Sequence, residues 1–125
     1  MTVNYPLGDF LIRLKNAALA EQRETSAPKT KLILAVANVL KEAGFLTEVT
    51  ADKDVVVKLA FKSKKPVLSN IKLVSKLGLR IYQNTDEIAK HRGASILIIS
   101  TSKGILTSPN ALKQKLGGEV IAEIW

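Results

Sequence analysis

The stretch Ile96-Leu97-Ile98-Ile99-Ser100-Thr101-Ser102-Lys103-Gly104 decides how the second half of this chain is read. Four consecutive aliphatic residues predict a buried strand. The strand ends in a small polar hook of three hydroxyls, one ammonium and a glycine. Hydroxyls both donate and accept, the ammonium supplies one positive charge, and glycine lets a backbone approach closely, so the hook suits the edges and phosphates of a nucleic acid.

Working outward, Gly117-Gly118-Glu119 opens a last apolar segment that runs from Val120 to Trp125 and predicts a final strand over Glu119 to Trp125. Between hook and final strand, Thr107-Ser108-Pro109 reads as a helix start, with a hydroxyl cap and proline at the first helical position, and Gly117-Gly118 ends that helix. Val67 to Ser75 and Leu79 to Asn84 read as short β-rich runs separated by Lys76-Leu77-Gly78, and a polar segment with Asp86, Glu87 and Lys90 precedes the strand Ala94 to Ser100.

The first half has a different rhythm. Leu7, Phe10, Leu11, Leu14 and Ala18 recur at helical spacing from Pro6 to about Glu21, with Asp9, Arg13 and Asn16 together on a polar face. Thr25 to Ala27 is extended, and Pro28 leads into a second helix over Thr30 to Ala43 with Leu32, Val36, Val39 and Leu40 inward and Gly44 as its stop. Phe45 to Ala51 and Val55 to Phe61 form a hairpin about Asp52-Lys53-Asp54, with Val55, Val57, Leu59 and Phe61 on one face. Lys62-Ser63-Lys64-Lys65-Pro66 breaks the pattern and is the expected interdomain linker. The expected architecture is α+β in two small domains: residues 1–64 with two helices, a short strand and a hairpin, and residues 65–125, β-rich with one short helix.

Composition bounds the function. With 125 residues, 46% of them hydrophobic, the chain holds one ordinary core or two small ones. A net charge of +8 predicts attraction to polyanions, nucleic acid first, but each half divided after Lys65 carries +4, so charge does not locate the site. Zero cysteines and the single His91 exclude thiol chemistry, disulfides and Cys or His metal clusters. Met1 to Pro6 lacks the pattern of a secretory signal and no apolar run reaches the roughly 20 residues that span a bilayer, so the expectation is a cytosolic protein off the membrane, with no cofactor.

Five ordered pieces carry a resemblance over Asp9 to Trp125: Asp9 to Asn16, Ala37 to Phe45, Gly78 to Tyr82, Ser100 to Gly104 and Gly117 to Glu119. Together they resemble the bacterial-type small-subunit ribosomal protein eight. The resemblance implies an α/β N-terminal domain, a β-rich C-terminal domain and a cytoplasmic, non-catalytic role in the small ribosomal subunit. It implies binding to the central domain of the 16S-type rRNA, help in subunit assembly, the fifth and seventeenth small-subunit proteins as neighbours, and repression of the protein's own mRNA through a similar RNA fold. By resemblance, Ser100, Thr101, Ser102, Lys103 and Gly104 enter the RNA minor groove with Glu119 and Tyr82 beside them. Asp9, Arg13, Lys15 and Asn16 match the N-terminal motif, and Lys29 and Lys31 follow as phosphate contacts. The chain departs from the family pattern at Ser108-Pro109-Asn110, at Leu77 and at Ala122-Glu123-Ile124.

The wide, shallow minor groove of A-form RNA displays 2′-hydroxyls that short Ser and Thr side chains reach. Two roles are open to Glu119: accepting from a base amino group or 2′-hydroxyl, or bracing the Ser100 to Gly104 loop. Tyr82 is either a stacking platform or partial core, and Asp9, Arg13 and Asn16 are either RNA contacts or a solvated face. His91 reads as a surface residue and Trp125 as packing for the last strand. Ser100-x-x-Lys103 formally matches the S-x-x-K signature of penicillin-binding enzymes, but its S-D-N and K-T-G companions are missing and there is no Walker A sequence, so no enzyme is expected. Two alternatives are a protein-interaction module in another ribonucleoprotein assembly and a DNA-binding regulator. The second lacks a recognition helix rich in Arg, Asn or Gln.

Overall fold

The computed structural model describes residues 5–76, 78–91 and 93–125; the reading of the extreme N-terminus before Tyr5 and the departure at Leu77 lie outside them. By its internal contacts the chain divides into two units, Met1–Ile71 and Lys72–Trp125. No helix among the described residues is long and apolar enough to cross a membrane.

The first unit begins with α1 (Pro6–Leu19), whose proline sits where a backbone N–H has no helical partner to lose. Leu7, Phe10, Leu11, Leu14, Ala17 and Ala18 make its buried stripe. Strand β1 (Glu24–Pro28) leads to α2 (Lys31–Glu42), capped by the Thr30 hydroxyl accepting from the Ile33 N–H at 3.1 Å. Strands β2 (Leu46–Ala51) and β3 (Asp54–Leu59) follow, in an antiparallel sheet ordered β1-β3-β2.

Two expectations for this unit change. The inward face of α2 is Ile33, Val36, Ala37 and Leu40; Leu32 is 42% exposed and Val39 only half-buried. The run from Leu32 to Ala37 is apolar throughout, so its spacing fixes a helix but not which side turns inward. Phe61 does not continue the buried row of Val55, Val57 and Leu59, because β3 stops at Leu59. Phe61 instead opens β4 (Phe61–Lys62), which pairs with β5 (Lys65–Pro66) about a tight turn with Ser63 and Lys64 at φ of 53° and 69°. The Arg23 guanidinium lies 5.0 Å from the centre of the Phe61 ring.

The second unit is built on β10 (Gly118–Ile124). Its sheet runs β6-β10-β8-β9, with β6 (Ile71–Leu73), β8 (Ile96–Thr101) and β9 (Gly104–Thr107), while β7 (Tyr82–Gln83) also pairs with β10. Strand β9 was not expected. It folds back from the hook onto β8, so the hook is a hairpin tip. Among its described residues the unit has two short helices in place of the one expected. The polar segment is α3 (Thr85–Ala89), held by a capping box in which Asn84 Oδ1 accepts from the Glu87 N–H at 2.9 Å and Glu87 Oε1 from the Asn84 N–H at 3.1 Å. The expected helix is α4 (Ser108–Lys113), its Thr107 cap accepting from the Asn110 N–H at 3.4 Å. Ile88 of α3 and Ala111 of α4 pack on Leu97, Ile99 and Val120, so both helices cover one face of the sheet.

Two polar clusters pin this sheet. Ser75 is fully buried; its hydroxyl accepts from the Ile81 N–H at 2.9 Å and donates to the Val120 carbonyl at 2.7 Å. The pairing of β10 with β8 slips by one residue between Val120 and Ala122, and the displaced Ile121 carbonyl accepts from the N–H groups of Val74 and Ser75. His91 is half-buried, not a free surface residue, with Nε2 3.0 Å from Ser95 Oγ and 3.1 Å from the Ser95 carbonyl. The Ser95 hydroxyl donates to Glu123 Oε2 at 2.6 Å, which gives the unexpected C-terminal carboxylate a structural partner.

Ser75→Ala leaves the Ile81 N–H and the Val120 carbonyl short of a partner in the interior, so it should cost about 1–3 kcal/mol. Urea unfolding of the full chain measures this, and an unchanged midpoint contradicts the role given to Ser75.

Candidate nucleic-acid interface

The hairpin of β8 and β9 pairs Ile98 with Thr107, Ser100 with Ile105 and Thr101 with Gly104, leaving Ser102 and Lys103 as a two-residue tip. Gly104 has φ +104°, while the tip residues are not among those with positive φ. The two-residue tip is thus closed by a glycine in the left-handed region, a conformation that side chains resist. Thr101 fastens the turn from inside: its Oγ1 donates to the Gly104 carbonyl at 2.8 Å and accepts from the Lys103 N–H at 3.1 Å. Thr101 and Gly104 therefore shape the hook. Ser102 and Lys103 are its exposed side chains.

Behind the tip, the sheet register lines up three expected site residues from distant parts of the sequence. Glu119 pairs with Ser100 on one side and with Tyr82 on the other. Strand spacing makes this row roughly 10 Å wide, about the scale of a nucleotide. Ile99 and Val120 face the helices, so their neighbours Ser100 and Glu119 point to the opposite face of the sheet. Tyr82 is 66% exposed and is not part of the core.

The glycines bring these strands together. A Cβ on Gly118 would collide with the carbonyl oxygen of Ser100, and one on Gly117 would come within 2.6 Å of the Gln83 carbonyl oxygen. The start of β10 thus passes between β7 and β8 at a separation that only a residue without a side chain allows. Glu119 is held by Arg80, whose Nη1 lies 3.1 Å from Oε2, with 21% of the Glu119 side chain and 40% of the Arg80 side chain exposed. Arg80 is not among the residues expected here, and the structure brings it to Glu119. Its spacing two residues before Tyr82, on the same side of an extended segment, is the signal that points to it.

The remaining expected site residues belong to the first unit. Asp9, Arg13 and Asn16 are exposed on α1 and Lys15 is half-buried. Arg13 Nη1 donates to the Ser26 carbonyl at 3.2 Å, and Asp9, Arg13 and Thr30 line one cleft with Pro6, Phe10, Ala27 and Pro28. Lys15 and Asn16 are not part of that cleft. Lys29 and Lys31 are exposed on either side of the Thr30 cap.

Residues 5–125 match the family model of ribosomal protein S8. The chain belongs to the ribosomal protein S8 family. It is 39% identical over 122 residues to the small ribosomal subunit protein uS8 of Oleidesulfovibrio alaskensis, covering 96% of this chain and 97% of that protein. The uS8 proteins of Trichormus variabilis and Thermosynechococcus vestitus are 40% and 41% identical over 133 residues, with both chains covered in full. The family is structural and non-catalytic. Its mixed α+β fold, α/β at the N-terminus and β-rich at the C-terminus, is the one described above.

Gly118→Ala should push β10 away from β8 at the row. The expected result is a loss of roughly 1 kcal/mol or more, since a core-side overlap forces backbone shifts. Amide exchange should accelerate at Ser100 and Glu119, the facing residues of β8 and β10 beside Gly118, and unaltered exchange at both would show that the close approach is not needed.

Proposed function

We propose that the chain is a cytoplasmic constituent of the small ribosomal subunit that binds the central domain of the 16S-type rRNA and aids assembly of the subunit. The observation that carries this reading is the row of exposed Tyr82 with half-buried Glu119 and Ser100 beside the exposed tip Ser102 and Lys103, in a chain of net charge +8. An aromatic face, short hydroxyls, an acceptor and one compact cation match what an irregular RNA helix offers: splayed bases, 2′-hydroxyls and phosphate. On the first unit, Lys29, Lys31 and Arg13 supply phosphate contacts, with Asp9, Lys15 and Asn16 around them. The fifth and seventeenth small-subunit proteins are its neighbours, and the same RNA-binding surface serves repression of its own mRNA.

Within the tip the two side chains divide the work. Lys103 presents a compact charge suited to phosphate, so Lys103→Ala should weaken binding to every RNA alike and lower the salt slope by roughly one ion. Ser102 reads the site through hydrogen bonds, so Ser102→Ala should cost on the order of 1 kcal/mol against the cognate RNA and little against a scrambled one. Titrations of both variants against a central-domain rRNA fragment and a scrambled RNA, at several salt concentrations, separate the two signatures. Equal affinity of the unmodified chain for both RNAs would overturn the proposed function.

A further inference from the structure

We infer that Arg80 is a positioning residue that makes Glu119 usable as a reader of RNA, holding one carboxylate oxygen so that the other accepts from the amino group of an unpaired base. The inference rests on the rRNA-binding reading above and deepens it.

A carboxylate in the middle of a surface that meets a polyanion needs a physical reason. Phosphate oxygens only accept hydrogen bonds, so Glu119 repels them and binds donors alone. Its place in the row fixes which donors arrive. One strand away stands the exposed ring of Tyr82, and on the other side Ser100. A base lying on the Tyr82 face brings its edge about one strand spacing away, over Glu119. The exocyclic amines of adenine, cytosine and guanine are the donors such an edge offers.

Arg80 supplies what this arrangement lacks without it. The guanidinium is planar, always charged and 3.1 Å from Oε2, so it fixes the carboxylate's orientation and offsets its charge toward the nearby backbone. The pair is 39 residues apart in sequence and meets where β7 and β10 bring their segments together. With Oε2 engaged, Oε1 is left to accept. Arg80 thus acts on RNA through Glu119 and not as a phosphate ligand of its own.

The test is a double-mutant cycle on the full chain, with Arg80→Ala, Arg80→Lys, Glu119→Gln and the Arg80→Ala/Glu119→Gln pair, read against the central-domain rRNA fragment and a scrambled RNA of equal length. Arg80→Ala and Glu119→Gln should each weaken cognate binding about tenfold, the scale of one charged hydrogen bond, and change scrambled binding by less than about twofold. Arg80→Lys should recover part of the loss. The double variant should bind no more weakly than Glu119→Gln alone, and the salt slope of Arg80→Ala should not fall. Multiplied losses in the double variant with a slope reduced by about one ion would make Arg80 a phosphate ligand and overturn the inference. Thermal midpoints of all four variants exclude unfolding as the cause, and Arg80→Lys carries the cycle if Arg80→Ala does not fold. Cognate fragments with purine or inosine replacing single adenines or guanines should abolish the Glu119→Gln effect at one position; if 2′-deoxy substitution does so instead, the donor is a ribose hydroxyl and the base assignment is wrong. A wild-type chain with no preference for the cognate fragment removes the underlying rRNA reading, a failure visible before any variant is compared.

Discussion

The passage of Gly117 and Gly118 between two strands is the constraint on which the second unit depends. A side chain at Gly118 would occupy the place of the Ser100 carbonyl oxygen, and one at Gly117 would press on the Gln83 carbonyl oxygen. Because neither is there, β10 enters the sheet with β7 and β8 both in hydrogen-bonding reach, and Tyr82, Glu119 and Ser100 fall into one row. The row is a consequence of backbone approach, not of attraction among its side chains. Its members come from segments that share no sequence neighbourhood, so only the sheet relates them.

The bulge in β10 then settles what each face carries. In a regular strand, Glu119 would share a face with Ile121 and Glu123, and Val120 with Ala122 and Ile124. The slip between Val120 and Ala122 re-phases the strand, so Glu119 faces the same way as Ala122 and Ile124, which pair with Ile98 and Ile96, while Val120 and Glu123 face the other way opposite Ile99 and Leu97. Ser75 and the backbone of Val74 hold the slipped segment in place. The same strand thereby turns a polar residue outward at its start and aliphatic residues on that face further along. It also brings Glu123 to the side where Ser95 and His91 meet it.

This explains where the sequence was informative and where it was not. The stripe of α1 and the alternation of β3 are strong periodic signals, and the structure follows them. In α2 the signal fails for the opposite reason, an excess of apolar residues, so the helix was legible and its inward face was not. The capping box at Asn84 and Glu87 was present in the sequence, but a helix of 5 residues has too few turns for a periodic stripe to mark it. The hook was legible by composition alone, whereas β9 was hidden behind it because Ile105 and Leu106 give too short an apolar run to read as a strand. The spacing of Arg80 before Tyr82 places it on the side of Tyr82, but its pairing with Glu119, 39 residues on, depends on the register of two strands distant in sequence, which no local pattern encodes.

The internal bonds of the hook separate the residues that shape it from the side chains it presents to solvent. Thr101 donates and accepts inside the turn, and Gly104 supplies the left-handed corner, so the conformation of the tip is set before any partner arrives. A preset tip loses less conformational freedom on binding than a mobile loop with the same side chains. Under the proposed function that matters, because a single serine hydroxyl offers only modest hydrogen-bond energy, which ordering a flexible loop would consume. The repeated hydroxyls are therefore not equivalent: one fixes the hairpin, one stands in the row beside Glu119, and one is presented at the tip beside the charge of Lys103.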